Sequence, residues 1–159
     1  MNLKPKTPKK INANVKAIIR ELGLAKAKPR FLPYSHRDDS YRATYCFNNC
    51  EDESNKTGCE VVYGWMIWED KKNAFIEAEY HSVIKEDVKL IDISPRQTGD
   101  SLILFVKDTT RLGGRKREDT WYSRTNLKMI NGFVAEEIRE HEVVEIDHVH
   151  SELRFVESA

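Results

Sequence analysis

The chain has 159 residues, with 26 Lys and Arg against 26 Asp and Glu, 40% apolar residues and 33% charged residues. That length suits one domain with a real core, and the apolar fraction excludes an intrinsically disordered chain. No run approaches the roughly 18 apolar residues of a membrane span, and the basic start lacks the apolar stretch of a secretory signal. Three cysteines cannot all pair within one chain, so a reducing cytoplasm is the expected compartment.

Zero net charge hides an asymmetry. Residues 1–30 carry nine basic side chains against Glu21, and residues 134–159 carry eight acids against Arg139 and Arg154. The two ends are expected to be solvated faces that attract each other or do nothing.

Residues 1–12 read as a flexible basic tail, with Pro5 and Pro8 opposing a helix, and residues 13–159 as a single α+β domain. Asn14 is placed to cap a helix over 15–22, where Val15, Ile18, Ile19 and Leu22 recur at helical spacing and Gly23 ends it. Residues 25–40, with Pro29 and Pro33, predict an irregular segment. Residues 45–56 predict a helix with Lys56 near its end and Gly58 just past it. β-branched and aromatic residues between turn signals then predict strands at about 60–69, 74–84, 89–94 and 101–106. The short turns between them argue an antiparallel meander. Residues 108–120 predict a polar loop with a basic cluster. Residues 127–141 predict a helix that Gly132 weakens by roughly 1 kcal/mol, and 142–156 one more strand or a continuation of that helix.

Three residues in this order suggest chemistry. Cys46 begins the middle helix, His81 lies on the second strand after it, and Asp92 on the third. Attack by sulfur on a carbonyl needs a thiolate, whereas a free thiol of pKa about 8.5 is mostly protonated at neutral pH. A helix N-terminus and a nearby imidazolium both favour the thiolate. The histidine then returns a proton to the leaving group, and a carboxylate fixes its tautomer. First-turn backbone N–H groups can stabilise an oxyanion. Alternation sets Phe75, Glu77, Glu79, His81 and Val83 on one strand face, and Leu90, Asp92 and Ser94 on one face of the next, so pairing of these strands brings His81 beside Asp92.

Cys50, one helical turn after Cys46, is the rival nucleophile. Cys46 is preferred because it lies nearer the helix start and farther from Glu51, Asp52 and Glu53. Asn49 is a candidate to hydrogen-bond an oxyanion or the histidine. Trp65 and Trp68 fall on opposite strand faces, one for the core and one for a groove, with Trp65 taken as the binding candidate.

The Cys-bearing helix, the paired strands, Tyr80-His81-Ser82-Val83 and Leu90-Ile91-Asp92-Ile93-Ser94-Pro95 together resemble the core of transglutaminase-like and NlpC-type cysteine hydrolases. In that papain-like superfamily a strand histidine is followed by an aspartate in an Asp-x-Thr/Ser-Pro-like setting. Residues 62–69 with 77–81 are also similar to a group of small bacterial and phage proteins. The resemblance spans residues 44–106 and implies an antiparallel sheet with the Cys-bearing helix packed on it. It further implies Cys46 as nucleophile, His81 as base and then acid, and Asp92 as the orienting carboxylate.

Other readings stand beside it. Cys46, Cys50, Cys59 and His81 could ligate zinc, but the familiar Cys-x2-Cys knuckle is missing. His141, Glu145, His148 and His150 form a second candidate metal group, and Glu77 and Glu79 with His81 a third. Arg111, Arg115, Lys116 and Arg117 before Trp121 and Tyr122 suggest nucleic acid, against which zero net charge and the acidic end weigh. The expected function is a cysteine-dependent hydrolase or acyltransferase on an amide bond of a peptide, protein or small molecule, with no cofactor, no metal, no membrane and no nucleic acid. A non-catalytic binding or interaction module on the same fold, with zinc or nucleic acid among its candidate ligands, is the alternative, and the oligomeric state is left open.

Overall fold

The computed structural model describes residues 2–96 and 98–145, and the backbone of 151–155. Two α-helices and eleven strands are found among them, and every strand pairing is antiparallel, which is the α+β class expected. In chain order these are α1 (Ala13–Glu21), β1 (Arg30–Pro33), α2 (Cys46–Thr57), β2 (Glu60–Asp70), β3 (Phe75–Glu86), β4 (Lys89–Ile91) and β5 (Leu102–Lys107). There follow β6 (Gly114–Arg117), β7 (Thr120–Arg124), β8 (Leu127–Ile130), β9 (Phe133–Glu136), β10 (Glu140–Glu145) and β11 (Ser151–Phe155).

Strands β2 and β3 form the spine, paired without a register shift from Glu60↔Lys85 to Asp70↔Phe75. They belong to a seven-stranded sheet in the order β1-β5-β2-β3-β8-β9, with β4 also on β3. Gly64 permits the close approach of β5, because a Cβ there would lie 2.2 Å from the Val106 carbonyl oxygen. Strand β8 pairs with β3 only as far as Ala78, and β4 only from Ile84 onward. Among the described residues the stretch between them is therefore an open strand edge.

The helix expected at 15–22 starts earlier, because Asn12 rather than Asn14 accepts the Val15 N–H at 3.0 Å. Val15, Ile18 and Ile19 then pack onto Trp65, Ile67, Ile76, Ala78 and Leu104. Helix α2 ends as expected, with Gly58 in the left-handed region at φ 75° and its N–H on the Ser54 carbonyl. Phe47 of α2 meets the rings of Tyr63, Tyr80 and Trp121. Cys50 joins Tyr41, Ile84 and Ile93 in a smaller apolar cluster.

Residues 4–7 lie along the end of the sheet. Lys6 exchanges backbone hydrogen bonds with Glu69 at 2.9 and 2.7 Å, and the Thr7 hydroxyl donates to the Leu102 carbonyl. Proline excludes a helix there, yet leaves the segment free to pair as an extended edge.

The helix expected over 127–141 is replaced by the β8–β9 hairpin. Asn131 and Gly132 take φ values of 53° and 82°, the two positive angles of a tight hairpin turn, so the Asn-Gly pair overrides the helical spacing of the apolar residues. Strand β6 occupies part of the expected polar loop. The end of the chain forms β10 and β11 in a second, four-stranded sheet of order β11-β10-β7-β6. Trp121 of β7 joins that sheet to the main core.

Candidate functional site

His81 emerges from the open stretch of β3, opposite Gly64. Strand β4 ends at Ile91, sooner than expected. Asp92 turns out of it to bridge Tyr34, its N–H donating to the Pro33 carbonyl at 3.1 Å and its carbonyl accepting from Ser35 N–H at 2.9 Å. The two side chains meet as the alternation predicts: His81 Nε2 and Asp92 Oδ1 are 3.0 Å apart, both buried. The half-buried Cys46 lies beside the same ring, close enough for its sulfur to favour the charged imidazole. With Nε2 turned to Asp92, Nδ1 is the nitrogen left for it.

Burial alone would push the His81 pKa down. The adjacent Cys46 sulfur and the Asp92 carboxylate outweigh burial and hold it well above 6.5. For Asp92, burial works upward, but the His81 ring, the Arg96 guanidinium and the Ser94 N–H together keep it below the usual carboxylate value. Arg96 Nε donates to Asp92 Oδ2 at 3.2 Å. Cys50 differs from Cys46: it is fully buried, and burial pushes its thiol well above the ordinary value, so it stays protonated.

Cys46, His81 and Asp92 open onto a cleft of about 310 Å³, walled by Met66, Trp68, Glu77 and Glu79 on one side and by Ser94, Pro95, Arg96 and Thr98 on the other, with Pro5 also lining it. Ala43 and Thr44 line the approach to α2. Thr44 takes φ 68°, a left-handed conformation uncommon for a β-branched residue and costing of order 1–3 kcal/mol. Tyr45 stands at the N-cap of α2 and makes no side-chain capping bond to the first turn.

Asn49 is buried and faces elsewhere. Its amide nitrogen donates to the Arg42 carbonyl at 2.8 Å and to Ser94 Oγ at 3.0 Å, and its oxygen accepts from Arg42 N–H at 3.3 Å. It braces the loop before α2 against the loop after Asp92. Trp65 is a core residue whose Nε1 donates to Asp108 Oδ2 at 2.8 Å. Trp68, on the His81 face of β2, is the tryptophan that borders the cleft, its Nε1 3.4 Å from Glu79 Oε1.

Among the described residues no group of three or more His, Cys, Asp or Glu side chains is arranged to hold a metal ion. His148 and His150 lie outside the described residues. In the basic cluster Arg111 pairs with Asp108 at 2.7 Å, Arg115 with Glu51 at 2.8 Å, and Lys116 with Glu142. Trp121 is buried beneath Arg115 and offers no face for a base to stack on.

Sequence reasoning stopped at Pro95 and so missed Arg96, although a residue four places after a candidate carboxylate was a signal within reach. Compared with protein-family models, with curated proteins and with solved structures, the chain matches none.

Proposed function

We propose that the chain is a cysteine-dependent hydrolase or acyltransferase acting on an amide bond, built on a papain-like or transglutaminase-like core. One observation carries the reading: a buried imidazole bonded to the Asp92 carboxylate, with Cys46 beside it in the wall of the same open cleft. Cys46 attacks the amide carbonyl as the thiolate, forming the S–C bond. The carbonyl oxygen takes the negative charge and accepts from first-turn N–H groups of α2. The His81 imidazolium donates its Nδ1 proton to the leaving nitrogen as the C–N bond breaks. Water or a second amine then attacks the thioester, with His81 now accepting the proton, and Cys46 is released. Asp92 holds the ring in one orientation and stabilises its charged form. Three thiols with no disulfide among them suit a reducing cytoplasm.

The test is turnover of a panel of acyl p-nitroanilides, with and without a primary amine acceptor, by the parent chain and by Cys46→Ala. The reading predicts p-nitroaniline release, or amine incorporation, that Cys46→Ala abolishes while its thermal melt is kept. Turnover that survives Cys46→Ala contradicts it, and a panel wholly inert with both chains favours the binding module.

A further inference from the structure

Asp92 has a second oxygen, and its partner is the residue sequence reasoning missed. Arg96 Nε donates to Asp92 Oδ2 at 3.2 Å, and Arg96 Nη1 donates to the Asp100 carbonyl. The guanidinium carbon lies 5.6 Å from the centre of the Tyr34 ring, and Tyr34 is itself bridged to the Asp92 backbone. The side chain is 7% exposed, and Nη2 is buried with no hydrogen-bond partner among the described residues. A buried guanidinium is costly unless an anion is beside it, and here Asp92 is that anion. The carboxylate is thus divided, Oδ1 for His81 and Oδ2 for Arg96.

We propose that Arg96 is a positioning residue for Cys46, His81 and Asp92: it holds the outer oxygen of Asp92 and shares that carboxylate's charge, so that His81 feels only part of it. The proposal rests on the catalytic reading above. A carboxylate left wholly to His81 would hold the ring proton more tightly and give it up less readily to a leaving group. A carboxylate with an empty outer oxygen would also be free to turn. Arg96 opposes both.

The charged and titratable groups facing His81 are few. Cys46 comes from α2, Asp92 and behind it Arg96 from the segment after β4, and Glu79 from two residues back on β3. On this face β2 offers Val62, Gly64 and Met66 opposite Val83, His81 and Glu79, none of which in β2 ionises. Removing the Arg96 charge therefore has one direction.

The experiment is the His81 titration, followed by imidazole NMR, in the parent chain, Arg96→Gln and Arg96→Lys. Arg96→Gln is expected to raise the His81 midpoint by about one pH unit. Arg96→Lys, which keeps the charge, is expected to hold the midpoint near that of the parent. If Arg96→Gln does not fold, Arg96→Met, which keeps the stem over Tyr34, is read in its place with the same upward shift expected. A folded charge-removing variant whose midpoint is unmoved or lower overturns the proposal, since a merely structural arginine would alter the melt alone. The midpoint reads the Arg96 coupling whether or not Cys46 reacts. Failure of the catalytic reading shows separately, as turnover independent of Cys46.

Discussion

Asp92 and Asn49 illustrate how far single residues can be read. His81 and Asp92 were legible because strand alternation has a period of two and a short connection leaves little freedom in pairing. Asn49 was legible as a polar residue on α2 but not in its role, because its partners, Arg42 and Ser94, come from irregular segments whose path no periodicity specifies. As a buried brace, Asn49→Ala removes the side-chain bonds to the Arg42 backbone and to Ser94 Oγ and is expected to cost about 1–3 kcal/mol in urea unfolding, with the pH profile of Cys46 alkylation unchanged. A variant of parent stability with an altered profile would instead assign the amide to the chemistry. Trp65 and Trp68 were separable into two faces, but which face holds His81 depends on the β2–β3 register. That register is set at the turn, where Asp70 accepts from the Asn73 backbone and side-chain amides.

Helix α2 and strands β2, β3 and β5 were readable from pattern because each combines clear periodicity with clear stop signals. The hairpin of β8 and β9 was not. Leu127, Ile130, Val134 and Ile138 satisfy a helical spacing by accident, while Asn131-Gly132 is the stronger local signal. At the centre of the sheet Gly64 packs closely against β5. A methyl group there would lie 2.2 Å from the Val106 oxygen and 2.6 Å from the Phe105 ring, so neighbouring backbone must shift. Gly64→Ala is expected to cost about 3 kcal/mol and, because Gly64 lies opposite His81, to disturb the site with the fold. Parent-like denaturant midpoints for Gly64→Ala would show that β2 and β5 are not packed this closely.

Across the whole molecule, the basic segment around 111–117 pairs with acids from elsewhere in the chain, including Glu142 and Glu51. Sequence shows the asymmetry but not these pairings, which depend on the second sheet that it did not reveal. The site draws on distant parts of the chain at once: α2 brings the thiol, β3 the imidazole, the β4 exit the carboxylate, and β1 the backbone that fixes that exit. Its pH behaviour follows from His81. A group whose folded pKa lies above its unfolded value contributes stability that is complete below about 6.5 and lost as pH rises through the folded value. Beside Cys46 and Asp92 the ring favours its charged form.

The most direct measurement is the rate of iodoacetamide alkylation of each cysteine against pH, read by peptide mass spectrometry, in the parent chain and in His81→Gln. The account predicts that Cys46 reacts fast below pH 7, that Cys50 reacts slowly throughout, and that His81→Gln moves the Cys46 rise toward the ordinary thiol range near 8.5. A Cys46 profile that is ordinary in the parent and unchanged in His81→Gln would contradict it.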